Sequence, residues 1–174
     1  MITLRSPIYP VFSGGASVVL QLMAVFFLLC SCTPSDPSFH EKVIRQEVAQ
    51  VFEQYLETVN SGRTLDIPAY FSDDDNFYWV EDGFKVYTDK QSMIASLRSF
   101  TEGVSEVSMQ TDELTITPIS NEVANLFTSY NQRLQFANGF ELILEGAITI
   151  TLVKESDTWK FLNGHSSTKK PRGN

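Results

Sequence analysis

The feature that most constrains this chain is the pair Asn138-Gly139, set between two long runs rich in β-branched and aromatic residues, 123–136 and 140–154. Both turn positions favour positive φ, so the pair predicts a hairpin that forces the flanking runs into antiparallel pairing. The pattern extends on either side. Val107 to Pro118 reads as a preceding strand, followed by a turn at Ser120-Asn121-Glu122. Glu155-Ser156-Asp157 turns the chain again, and Trp159 to Ser167 reads as the last strand. An antiparallel meander is therefore predicted for the C-terminal part.

Upstream, the apolar period changes from two to that of a helix. Val43, Ile44, Val48, Val51, Phe52, Tyr55, Leu56 and Val59 recur at helical spacing, behind Ser38-Phe39-His40-Glu41, a capping-box pattern. Asn60-Ser61-Gly62 ends that helix. A short helix is predicted over 66–71, with Asp66 as N-cap and Pro68 in its first turn. Asn76 to Val80 and Phe84 to Tyr87 form a predicted hairpin around Glu81-Asp82-Gly83, and Asp89 to Phe100 a third helix. Helices followed by a curved antiparallel sheet make an α+β domain, one sheet face on the helices and the other exposed.

The N-terminus carries a different signal. Arg5 is followed by an apolar stretch from Ala16 to Leu29, the layout of a secretory leader. Leu29-Cys30-Ser31-Cys32 resembles a bacterial lipobox, which implies a signal peptide over 1–31 and a lipidated Cys32. Residues 32–38 then form a tether, 39–167 the folded domain, and 168–174 a basic tail with Lys169, Lys170 and Arg172. The expected address is the bacterial cell envelope, with Thr33 after the cysteine leaning toward the outer membrane. The membrane, reached through Cys32, is the expected partner.

Charge and cysteine count exclude several classes. The chain has 13 basic and 21 acidic side chains, and loss of residues 1–31 removes only Arg5. An acidic surface repels phosphate backbones, so no nucleic-acid partner is expected. Cys30 and Cys32 are the only cysteines, so the domain holds no disulfide or thiolate metal site. Asp73-Asp74-Asp75 lacks the alternating ligands of a calcium loop, and neither metal nor cofactor is expected.

Two groups of strings resemble the SnoaL-like branch of the nuclear-transport-factor-2-like superfamily. The first is 52–62, FEQYLETVNSG, followed by Tyr70-Phe71-Ser72-Asp73-Asp74. The second is 146–154, GAITITLVK, followed by Trp159-Lys160-Phe161 and His165-Ser166-Ser167. The resemblance covers residues 39–167 and implies a cone in which the sheet wraps the long helix and leaves an apolar pocket. Its members include isomerases, dehydratases, hydrolases and domains without a known reaction, so the fold does not supply a function.

The resemblance also directs attention to particular residues. Tyr55 matches the helical tyrosine that donates to an oxyanion in ketosteroid-isomerase-like members. The position of their carboxylate base falls at or beside Trp79, and the position of their second acid at Gly146 or Thr149, so that acid/base set is incomplete. Among dehydratase-like members a pocket histidine is needed. His165 shares a strand face with Trp159, Phe161 and Asn163 by simple alternation, which points it at the cone mouth. The expected reading is a binding module for a small apolar or amphipathic molecule. Tyr55, Trp79, Tyr130 and His165 would surround the ligand, with Phe52, Phe77 and Phe161 as the wall behind. The alternatives are a lyase or isomerase using His165 and Tyr55, or a homodimer through an outer face bearing Asn131, Arg133, Glu145, Thr149 and Thr151.

Overall fold

In the computed structural model, residues 39–169 are described. The leader, Cys32, the tether up to Ser38 and the tail beyond Lys169 lie outside them. No helix among the described residues is long and apolar enough to cross a membrane.

Helix α1 spans Glu41–Asn60 and buries Ile44, Val48, Phe52 and Val59. Its N-cap is His40, with no side-chain capping bond, so the predicted capping box is not formed. The serine of that motif stands too far upstream: Glu41 is the first helical residue, not the third. A 3₁₀ helix, Thr64–Tyr70, follows, with Arg63 as N-cap in place of the predicted Asp66. Strands β1 (Tyr78–Glu81) and β2 (Phe84–Tyr87) form the expected hairpin. Helix α2 spans Lys90–Gly103, and its N-cap Asp89 accepts the Ser92 N–H at 2.7 Å.

The predicted strand 107–118 is two strands, β3 (Val104–Thr111) and β4 (Thr115–Pro118). Both pair with β5 (Val123–Phe136), and the hydroxyl of buried Thr128 on β5 donates to the Asp112 carbonyl in the break. Strands β6 (Glu141–Glu155) and β7 (Thr158–Thr168) complete the sheet. The domain runs past the predicted end at Ser167, since Lys169 still donates its N–H to the Glu145 carbonyl.

The turn at Asn138-Gly139 departs from expectation. The β5–β6 connection is not a two-residue turn of positive φ: only Gly139 takes it, at 86°, while the Asn138 side chain accepts the Phe140 N–H at 3.0 Å. Two-residue turns with both φ positive occur instead at Asp82-Gly83, between β1 and β2, and at Ser156-Asp157, between β6 and β7.

The seven strands form one sheet in the order β2-β1-β7-β6-β5-β3, with β4 also on β5. Every pairing is antiparallel except that of β1 with β7, so the sheet is mixed, not wholly antiparallel as predicted. Register shifts interrupt three pairings: β1–β2, β3–β5 and β6–β7. Extra residues of this kind bend a strand and increase its twist, and the long sheet curves around α1 without closing.

The core is tightest at Phe161 on β7, fully buried and ringed by aromatics. Its ring centroid lies 5.2 Å from Tyr55, 5.3 Å from Phe71, 6.3 Å from Phe52 and 6.4 Å from Tyr70. Backbone bonding reinforces the junction, with Ser72 N–H donating to the Phe161 carbonyl at 3.0 Å. At the C-terminal end of α1, Asn60 pairs with the Met109 peptide on β3, donating at 2.9 Å and accepting at 2.6 Å. Phe161→Ala should destabilise the domain by about 3–5 kcal/mol in urea unfolding, as for other buried large-to-small aromatic changes. Phe140→Ala, at a side chain 57 % exposed, should stay within about 0.5 kcal/mol of the parent.

Candidate functional site

Between the C-terminal half of α1, the 3₁₀ helix, α2 and the inner sheet face lies a cavity of about 360 Å³. That is within the usual size of small-molecule sites, roughly 300–1,000 Å³. Much of its wall is apolar: Val59 and Ile67 on one side, Leu97 and Phe100 from α2, Met109 and Ile148 from the sheet. Amphipathic α2 supplies one side because Met93, Leu97 and Phe100 recur at helical spacing toward the core.

Tyr55, Trp79 and Tyr130 all reach the cavity. Phe52, Phe77 and Phe161 are buried behind its wall without lining it. Trp79 owes its position to Gly164, its cross-strand partner: a Cβ there would stand 2.5 Å from the indole ring.

His165 is not in the cavity. Leu152 pairs with Phe161 but Thr151 pairs with Asn163, so Leu162 is an extra residue in β7. A one-residue bulge inverts the facing of everything after it. Trp159 and Phe161 therefore point inward before the bulge, and Gly164, Ser166 and Thr168 after it. His165 is exposed on the outer face, level with Thr149 and Val80. The predicted pairing of His165 with Tyr55 across one ligand is thereby corrected, because the two lie on opposite sides of the sheet. The outer face also carries Asn131, Arg133, Glu145 and Thr149 as expected, with Arg133 ion-paired to Glu141.

Simple counting along the chain missed two carboxylates. Glu81 stands two residues beyond Trp79 on β1, hence on the same strand face, and Asp82 follows in the hairpin turn; both line the cavity. Strand period would have found Glu81 once Trp79 was known to face inward. Asp82 is held in place, accepting the Thr168 N–H at 2.7 Å and the Thr168 hydroxyl at 3.2 Å. No hydrogen bond or ion pair to the Glu81 carboxylate occurs among the described residues.

The cavity perturbs these groups in a consistent sense. Partial burial raises the pKa of Glu81, and the neighbouring Asp82 charge adds to it. Tyr55 lies deep in the domain yet keeps accessible surface, because it faces the cavity. Burial pushes its phenol up to about 12, with the field of Glu81 adding. Tyr130 is raised by burial too, with the Asp82 and Glu81 charges in support and the Thr168 hydroxyl opposing.

The sequence matches the SnoaL-like domain over residues 48–171. The chain belongs to this family. No curated protein matches it. Among solved structures, a candidate scytalone dehydratase from Novosphingobium aromaticivorans superposes with a TM-score of 0.66 at 16 % identity, covering 74 % of this chain and 85 % of that one. A nuclear transport factor 2-like protein from Salmonella enterica also gives 0.66, at 12 % identity over 76 % and 95 %. A ketosteroid isomerase-like protein from Erwinia carotovora gives 0.58, at 15 % identity over 72 % and 96 %. Identities this low establish the shared SnoaL-like cone and nothing about the reaction.

The raised pKa of Glu81 has a thermodynamic consequence. A carboxyl that binds its proton more tightly when folded lends stability that is fully present below its ordinary pKa and lost as pH rises through the raised one. Glu81→Gln mimics the protonated form. In thermal unfolding from about pH 3 to about pH 8, it should melt above the parent at neutral pH, and the gap should close as pH falls.

Proposed function

We propose that this SnoaL-like domain is a binding module for a small, largely apolar molecule, held at the cell envelope by a lipidated Cys32. The supporting observation is the hollow cavity of about 360 Å³, apolar over much of its wall and polar at Tyr55, Tyr130 and the Glu81-Asp82 pair. Fixed polar groups at one place in an apolar pocket orient a ligand without requiring that it react.

A second reading is favoured by one specific feature. Glu81, raised in pKa, and Tyr55 line the same cavity, the kind of pair that can take a proton from carbon and polarise an oxygen. Such a domain would act as an isomerase or lyase with Glu81, not His165, as base. The same experiment separates the two readings.

A thermal-shift screen of the purified full-length protein against neutral apolar compounds should give hits. A ligand at about 100 times its Kd adds roughly 2.7 kcal/mol of stability. Leu144→Trp, which puts a large ring into the cavity, should abolish the shifts while leaving the circular dichroism spectrum unchanged. Hits recovered intact by mass spectrometry and chromatography support binding alone; isomerised or eliminated products, lost in Glu81→Gln, support catalysis. A broad screen without a single Leu144-dependent shift would remove both.

The anchoring half of the proposal is supported by Leu29-Cys30-Ser31-Cys32 and has its own test. In a bacterial host, Cys32 should carry acyl chains by mass spectrometry, and the protein should fractionate with the outer membrane. Cys32→Ser should move it to the soluble fraction. An unmodified Cys32 on membrane-purified protein would overturn this part.

A further inference from the structure

We infer that the cavity selects neutral alcohols, a hydroxyl carried on an apolar body, and that Glu81 and Ser166 are the pair that reads the hydroxyl. This rests on the binding-module reading and names its ligand class.

Three observations carry it. First, Glu81 and Ser166 are cross-strand neighbours in the parallel pairing of β1 with β7, and both line the cavity. Adjacent strands stand about 4.8 Å apart. One oxygen hydrogen-bonded to both groups, at about 2.8 Å from each, spans such a gap. The backbone holds the two strands together at this point, since the Ser166 carbonyl accepts the Asp82 N–H at 3.0 Å.

Second, neither the Glu81 carboxyl nor the Ser166 hydroxyl has a hydrogen-bond partner among the described residues. On its other flank Ser166 is paired with Ile148, whose side chain offers none. The Tyr55 hydroxyl in the same cavity is likewise without a partner there. The unmet groups are thus an acceptor, Glu81, and two hydroxyls able to donate. An alcohol both donates and accepts, so it can give its proton to Glu81 while taking one from Ser166 or Tyr55. A ketone has no proton for Glu81, and an ammonium has no lone pair for the hydroxyls. Third, burial draws Glu81 toward its neutral form, which weakens its pull on a cation and leaves it a hydrogen-bonding group. Met93, Val107, Met109 and Ile148 supply apolar wall that fits the body of such a ligand.

The test uses four probes of similar shape: naphthylmethanol, ethylnaphthalene, acetylnaphthalene and naphthylmethylammonium. They offer, in that order, both hydrogen-bonding functions, neither, acceptance only and donation only. Each is titrated calorimetrically into the full-length protein, into Ser166→Ala and into Glu81→Met. The alcohol should bind about tenfold or more tighter than each of the other three, because an analogue without the hydroxyl leaves the site's polar groups unpaired. Either substitution should cut its advantage over ethylnaphthalene to about threefold or less. That ratio, unlike either affinity alone, is insensitive to a change in pocket volume, which both probes feel alike. An advantage short of about tenfold over any of the three, or one that survives either substitution, would overturn the inference and leave the binding-module reading standing. Binding of none of the four, while other compounds of the broader screen give Leu144-dependent shifts, would do the same. Binding of none of the four, with no such shifts, would overturn the binding module itself and the inference with it.

Discussion

The structure hangs on the aromatic junction at Phe161. Three separate parts of the chain converge there: Phe52 and Tyr55 from α1, Tyr70 and Phe71 at the end of the 3₁₀ helix, and β7 itself. Rings of this size bury large apolar areas and prefer tilted or edge-on contacts, the geometry most of these pairs adopt. One wall of the domain is thus closed tightly. Farther along, at its last residue, α1 meets the sheet through the paired Asn60 and Met109, a polar clamp that fixes spacing without filling volume. The cavity opens between these two attachments.

That arrangement makes the pocket's chemistry a matter of which strand faces look inward. The Leu162 bulge is decisive, because it replaces an expected inward histidine with the small Gly164, Ser166 and Thr168. Gly164 makes room for Trp79, and Thr168 holds Asp82 at the rim. One extra residue thereby removes an imidazole from the pocket and strengthens a carboxylate pole in its place. The chemistry available changes from histidine-based to carboxylate-based.

Glu81 shows how such a site is missed in a sequence. It stands beside a turn, in the string Glu81-Asp82-Gly83, where acidic residues ordinarily do no more than solvate a hairpin. What brings it to a cavity is the parallel pairing of β1 with β7, which places Trp79 against Gly164 and Glu81 against Ser166. Strands that distant along the chain leave no local trace of their pairing. The aromatic residues were easier to place: Tyr55 lies on the apolar stripe of a strongly periodic helix, and Trp79 follows from alternation around a recognisable hairpin.

By itself the sequence determined the order of helices and strands, the ends of α1 at Asn60 and β5 at Phe136, and the hairpin at Asp82-Gly83. Each rests on local backbone preference or on a short hydrophobic period, both encoded within a few residues. Only the tertiary structure decided that the sheet is mixed, that β7 changes phase at Leu162, and that Glu81 and Asp82 share a cavity with Tyr55 and Tyr130. Those outcomes depend on pairing between distant segments, where one inserted residue exchanges the two faces of a strand while leaving its composition unaltered.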